Sequence, residues 1–384
     1  MVIKRKLQSE IDNLLKQGRS ILLLGPRQVG KSTLIHSLSP ELVINLADES
    51  EYFRFAANPD ALRNVISESR SKTIFIDEVQ RLPRILNTVQ ALIDADKSLK
   101  FYLTGSSARK LRKSDSNLLP GRVFNFKLGP IIAAEMNYQM DTIKALQWGT
   151  LPEVVAANDQ KNSERLLKSY AANYLKEEIK AESLVRNLDS FSRFFHKSLE
   201  CVGEFVDYSK FAKLTKISRH AIPRYFEILE DTLVGYRLLP WSDSYELDLV
   251  KHPKFYYFDC GVYNGMLGNF IASADRKGKL AEQLVFSQLI HSAWAREKDI
   301  QISTFRTRKG VEVDFVIELE GKIFGIEVKS SFSQSDDLTG LETLQKTVGK
   351  KFGGGFIFHM DSGELKRKNY SVVPWQKGLR ALGL

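Results

Sequence analysis

Eight consecutive residues, Gly25-Pro26-Arg27-Gln28-Val29-Gly30-Lys31-Ser32, constrain the fold of this chain more than any other feature. They match the pattern G-x-x-x-x-G-K-[ST] in full. An apolar run, Ser20-Ile21-Leu22-Leu23-Leu24, precedes them, and Thr33-Leu34-Ile35 reads as the start of a helix. Strand, glycine loop and helix in that order wrap backbone N–H groups around a phosphate chain. Lys31 is placed to reach the β- and γ-phosphates, and the Ser32 hydroxyl to ligate Mg2+. Gly25 to Thr33 are the candidate nucleotide-binding residues, with ATP and Mg2+ as the expected cofactors.

A second segment, Thr73-Ile74-Phe75-Ile76-Asp77-Glu78, reads as a strand that ends in two carboxylates. Buried parallel strands are apolar along their length and deliver polar residues at the C-terminal end. Asp77 is the candidate metal residue and Glu78 the group that polarises the attacking water. A pair of carboxylates favours hydrolysis over simple nucleotide storage. Further strands are expected at Leu42–Leu46, Lys100–Leu103 and Val123–Leu128, which with Ser20–Leu24 make a parallel α/β sheet. Leu119-Pro120-Gly121-Arg122 immediately precedes the last of them. Arg122 would lie at the sheet edge, where a neighbouring subunit's nucleotide could reach it. It is the candidate arginine finger, which implies a homo-oligomer.

The 384 residues suffice for two or three domains. Two cysteines, Cys201 and Cys260, cannot build a disulfide framework or a zinc cluster, which points to a reducing, cytoplasmic setting. No apolar run approaches the ~18–20 residues of a membrane span. The formal charge of +10 includes clusters at Lys4-Arg5-Lys6, Arg109-Lys110-Leu111-Arg112-Lys113, Arg306-Thr307-Arg308-Lys309 and Lys366-Arg367-Lys368. Singly, each fits a solvated surface run; together they suit a polyanion, with DNA the expected partner.

From Gly149 to about Leu188, Leu166, Leu167, Tyr170, Tyr174, Leu175 and Ile179 recur at helical spacing and suggest a connector. Tyr208–Leu214, a turn around Thr215–Ser218, and a helix from Arg219 to Leu233 then suggest helix-turn-helix. Arg219, His220 and Arg224 stand near the start of the second helix, and Val234–Leu239 would be a wing strand. A winged-helix domain that packs only against protein is the competing reading. Farther on, Gly310–Ile317 and Ile323–Lys329 form an expected hairpin. Glu327 and Lys329, two apart, share a face, and Asp314 on the partner strand can converge on them. A preceding helical stretch, Lys279–Phe286, carries Glu282.

This last assembly resembles the PD-(D/E)xK nuclease fold. The resemblance implies that Asp314 and Glu327 hold a divalent metal, Lys329 stabilises the phosphate or positions water, and Glu282 assists from the helix. The whole chain resembles a prokaryotic family that joins an AAA-type ATPase domain to a C-terminal domain of unknown function with winged-helix and restriction-endonuclease-like parts. The motifs already quoted carry that resemblance, together with Ile76-Asp77-Glu78-Val79-Gln80, Leu103-Thr104-Gly105-Ser106-Ser107, Gly149-Thr150-Leu151-Pro152-Glu153 and Phe258-Asp259-Cys260-Gly261. Thr150 stands where the family's usual Gly-Gly pair has its second glycine. By the same resemblance Ser106 is the sensor of the γ-phosphate or attacking water, with Thr104 and Ser107 as neighbours.

The expected architecture is α/β throughout. A P-loop AAA-type parallel-sheet domain spans 1–140, a helical connector and winged helix 141–245, and a nuclease-like domain 246–384. The expected function is a Mg2+-dependent, oligomeric ATPase acting on DNA through its winged-helix and nuclease-like modules, with metal-dependent DNA cleavage by the latter left open. The alternative is an ATP-dependent switch whose C-terminal part is an inert module for protein binding or assembly.

Overall fold

The computed structural model describes residues 3–58, 60–106, 119–157, 159–173, 188–241, 249–335, 337–367 and 369–384. It divides into two compact units: Met1–Gly129 with Asp231–Leu233, and Pro130–Glu230 with Val234–Leu384. Ser107, the basic cluster from Arg109 to Lys113, and Tyr174, Leu175 and Ile179 of the expected connector lie outside the described residues.

The first unit is built on five strands: β1 (Ser20–Leu24), β2 (Leu42–Asn45), β3 (Thr73–Asp77), β4 (Lys100–Gly105) and β5 (Val123–Lys127). All are parallel, in the order β2-β3-β4-β1-β5. Their sequences explain the arrangement. β1 is buried at all five positions, β3 is apolar between its ends, and β4 is buried from Phe101 onward, as strands covered on both faces must be. The helix Ile85–Ala95 supplies a matching stripe, Ile85, Leu86, Val89, Leu92 and Ile93, to the same core as Ile74, Ile76, Phe101 and Leu103. Removing a fully buried side chain of this kind from water contributes roughly 1.5–3 kcal/mol. The helix Glu49–Ala57 starts where the Asp48 carboxylate accepts from the Ser50 and Glu51 amides. Because β3, β4 and β1 are neighbours, their C-terminal ends bring the three polar motifs of this unit to one edge.

In the second unit the helix Tyr208–Thr215 is capped by Asp207 and stopped by Lys216 in the left-handed region. The next helix, Ala221–Asp231, begins two residues after Arg219. Phe226 from that helix packs edge-on against Phe194, Phe211 and Phe255. The antiparallel pair β6 (Gly235–Leu238) and β7 (Lys254–Tyr257) follows. Six strands then form a mixed sheet: β8 (Ile300–Arg306), β9 (Glu312–Leu319), β10 (Lys322–Lys329), β11 (Phe352–His359), β12 (Leu365–Arg367) and β13 (Tyr370–Pro374), ordered β12-β13-β11-β10-β9-β8. β9 and β10 are the expected hairpin. Its two-residue turn, Glu320 at φ 51° and Gly321 at φ 75°, has the two positive φ values of the turn that matches strand twist.

Two sequence motifs more than a hundred residues apart meet in this unit. The Asp259 carboxylate accepts from the Thr150 amide at 2.7 Å and from the Val262 amide at 2.9 Å. Gly149 lies at φ 69°, and a Cβ there would stand 2.1 Å from Asp259 Oδ1. The close approach therefore demands glycine at 149 but not at 150, and it demands Gly261 on the other motif, where a Cβ would stand 1.9 Å from the Trp148 carbonyl oxygen. Thr150, which does not adopt positive φ, carries its side chain without strain.

Candidate nucleotide site and C-terminal charge cluster

In the first unit, β1 runs into the glycine loop and Gly30, at φ 91°, turns the chain into the helix Lys31–His36. Gly25 is required by packing, since a Cβ there would stand 2.1 Å from the Leu128 carbonyl oxygen. Lys31 is buried, and its ammonium donates to the carbonyls of Gly25 at 3.0 Å and Pro26 at 2.9 Å. The Ser32 hydroxyl donates to Asp77 Oδ2 at 2.7 Å. The Thr104 hydroxyl donates to the other oxygen, Oδ1, which also accepts from the Glu78 amide at 3.0 Å. A hydroxyl and a carboxylate in contact beside the loop are the hard oxygen donors that Mg2+ takes, so these residues fit that ion.

Glu78 sits in the left-handed region at φ 57°, directly after β3. Its carboxylate accepts from the Gln80 side-chain amide. That amide also donates to Ser106 Oγ at 2.9 Å, while the Ser106 amide donates back to Gln80 Oε1 at 3.2 Å. Ser106, Gln80 and Glu78 thus form one chain of contacts across β3 and β4.

Three features were not read from the sequence. Thr104, weighed only as a neighbour of Ser106, binds Asp77 directly. Gln80 joins the Glu78 and Ser106 side chains. Arg5 is a correction: it was grouped with a basic surface run but is buried, with its guanidinium donating to the carbonyls of Val29 and Gly129 at 2.7 Å each. Arg122 lies at the start of β5, beside the start of β1, and so at the end of the sheet opposite the glycine loop. It makes a two-pronged contact with Asp94, both distances being 2.9 Å.

In the second unit, the hairpin register that pairs Phe315 with Ile326 sets Asp314 opposite Glu327 one step on. Glu282 projects from the helix Ala274–Ala295. Of these expected residues Asp314 and Glu282 do gather, but around a lysine that sequence reasoning missed. The Lys254 side chain, 3% exposed, places its ammonium 2.7 Å from Glu312, 3.4 Å from Asp314 and 3.6 Å from Glu282. Asp314 Oδ2 is occupied by the Val328 amide at 2.9 Å, and Glu282 Oε2 by the Tyr256 hydroxyl at 2.7 Å. Lys329 pairs with Glu327 at 3.3 Å. The signal for Lys254 was a charge at the head of an aromatic run, Lys254-Phe255-Tyr256-Tyr257-Phe258, since a lysine on a fully buried strand needs anionic partners.

Burial, reinforced by Asp314, pushes the Glu282 carboxyl up to about 8 despite the opposing pull of Lys254 and Tyr256. Burial likewise raises Glu327 to about 7, against the pull of Lys329. Burial works to lower the Lys254 ammonium, but Asp314, Glu282 and Glu312 together hold it above the ordinary lysine value. A divalent metal does not fit this set of residues, because a fixed positive charge already touches three of the carboxylates. Among the described residues, no group of three or more His, Cys, Asp or Glu side chains is arranged to hold a metal ion.

Comparison with known proteins agrees with the two-part character. Residues 17–137 match the AAA domain family. Residues 139–272 and 277–377 match two separate families, each described as a domain of unknown function (DUF8612 and DUF4143). Uncharacterized proteins of Mycobacterium bovis and Mycobacterium tuberculosis are each 24% identical over 343 residues, covering 87% of this chain and 76% of theirs. A structure of Pif1 helicases at forked double-stranded DNA shares 13% identity over 44% of this chain, at a TM-score of 0.26. The match spans about half of that helicase, 52%, and at that score carries no argument. Over these stretches the chain is similar to an AAA-type, ATPase-like domain and to two domains of unknown function. No helix among the described residues is long and apolar enough to cross a membrane.

Proposed function

We propose that this chain hydrolyses ATP with Mg2+ at the shared edge of β1, β3 and β4. The observation that carries the reading is the Ser32–Asp77 contact of 2.7 Å, flanked by Lys31 on the loop and Glu78 after β3. ATP would be the substrate whose terminal phosphoryl group water attacks, and Mg2+, when bound, would supply positive charge to the phosphate oxygens. Lys31 exchanges the Gly25 and Pro26 carbonyls for phosphate oxygens. Ser32 and Asp77 would hold the metal. Glu78, once released by Gln80, orients the water and accepts its proton, and Ser106 senses the γ-phosphate side. The test is a pair of variants. Lys31→Ala is expected to abolish tight nucleotide binding. Glu78→Gln is expected to keep binding and lower turnover by at least ~100-fold, the usual range for loss of a general base. Near-normal turnover in Glu78→Gln would move the base elsewhere.

The polyanion we propose for this ATPase is DNA, bound by the helix pair of the second unit acting as a winged helix. Arg219, His220 and Arg224 are exposed around the start of the helix Ala221–Asp231, and the chain carries a net charge of +10. Affinity is then expected to fall steeply with salt, because phosphate neutralisation releases counterions. Replacing both Arg219 and Arg224 by Glu should weaken binding and flatten the salt slope by about one unit per lost phosphate contact. A protein partner would show little such dependence.

A further inference from the structure

The C-terminal cluster invites comparison with a metal-dependent nuclease site, and its acids are arranged accordingly. Asp314 and Glu327 face each other across a hairpin, with Glu282 arriving from a helix. What departs from that design is the centre. We propose that Lys254 is a built-in cation standing where a divalent metal would be held, so that the cluster takes up neither Mg2+ nor Mn2+ and cleaves no phosphodiester.

Four observations support this. The ammonium lies within 3.6 Å of Glu282, Glu312 and Asp314, so those oxygens already share one positive charge. The second Asp314 oxygen is committed to the Val328 amide, and the bonded Glu282 oxygen to Tyr256. Lys254 cannot swing out, since its strand is buried at all four positions and its ammonium packs over the Phe205 ring at 5.3 Å. Metal ligand distances of ~2.0–2.6 Å would force a divalent ion close against that ammonium, with like charges opposed. Arg306, 3.5 Å from Glu312 and stacked on the same Phe205 ring, adds a second cation at the rim.

The test uses the full chain carrying Asp77→Asn, which silences the first unit's own metal residue, and titrates Mn2+ by calorimetry without nucleotide. With Lys254 present, no Mn2+ binding that depends on Asp314 is expected up to millimolar concentrations. The same chain with wild-type Asp77 is expected to leave DNA uncut in Mg2+ or Mn2+ while still hydrolysing ATP, which separates this proposal from the ATPase reading. Adding Lys254→Met is expected to create one Mn2+ site per chain, at least tenfold tighter than any residual binding, and lost again with Asp314→Asn. A folded Lys254→Met chain that gains no site would overturn the proposal. So would Asp314-dependent Mn2+ binding or cleavage with Lys254 intact, a measurement that decides the matter even if Lys254→Met fails to fold.

Discussion

Two lysines, two groups of carboxylates and two opposite arrangements set the units apart. In the first unit Lys31 rests on neutral carbonyls, and Asp77 is satisfied by the hydroxyls of Ser32 and Thr104. None of those contacts joins opposite charges, so each can be exchanged for a phosphate oxygen or a metal at modest cost. In the second unit Lys254 is itself the partner of the acids and is sealed from solvent. Similar side chains yield a site poised to accept charge in one unit and a site already neutralised in the other. What separates them is whether the lysine donates to backbone carbonyls or stands among the carboxylates.

The comparison can be broken most sharply at Arg122. If the first site completes itself with charge from outside, a neighbouring subunit's Arg122 is the natural donor. Its Asp94 partner is on the surface, where such pairs exchange readily. Arg122→Ala is expected to cut turnover by roughly 10³–10⁵, the range known for arginine fingers. Mixing it with Lys31→Ala subunits should restore part of the rate. Turnover independent of protein concentration would exclude the shared site.

A smaller effect bears on the lysines themselves. Lys254→Ala leaves buried acids without their cation and is expected to destabilise the second unit by about 3–5 kcal/mol. Lys31→Ala removes an ammonium from neutral carbonyls, and the nucleotide-free first unit is expected to lose about 1–3 kcal/mol by comparison. Chemical denaturation of both variants, followed unit by unit, checks the ranking; equal losses would erase the contrast.

An effect of similar size concerns Asp259, a fully buried acid. Burial raises its carboxyl to about 6, outweighing the amides of Thr150, Val262 and Gly261. The folded unit thus holds a proton there more tightly than the unfolded chain. This contribution to stability is complete below about pH 4 and declines as pH rises through 6. The change is on the order of 3 kcal/mol, from ~1.4 kcal/mol per pH unit. Comparing the pH dependence of unfolding in Asp259→Asn and wild type isolates it. An unaltered pH profile would show that the carboxyl titrates normally.

The units also differ in how much could be read in advance. The glycine loop and the acids after β3 are contiguous motifs, fixed by local geometry, and the five strands fell within two residues of their expected ends. Asp314, Glu327 and Lys329 were legible because a hairpin makes alternation a guide to facing. Lys254 was not, because it belongs to no local pattern. It meets Asp314 across 60 residues through a separate strand, and only the tertiary fold decides which charge lies among the acids. Gln80 and Thr104 were missed for a related reason: β3 and β4 had to be set side by side before their contacts existed.

The hydrogen bonds that close the second unit have a consequence for synthesis. Gln376 exchanges two hydrogen bonds with Met140, at 2.8 and 2.9 Å, and the Trp375 indole donates to Thr142 at 3.0 Å. Gln288 likewise binds the backbone of Ile131 and Ala133. The earliest-made part of this unit therefore waits for the latest-made part before its polar groups are satisfied. All five strands of the first unit, by contrast, have left the ribosome's exit before residue 140 is followed by much more chain. Domains fold as units during synthesis, N-terminal first. The glycine loop and the acids after β3 can thus assemble while the rest of the molecule is still an open chain.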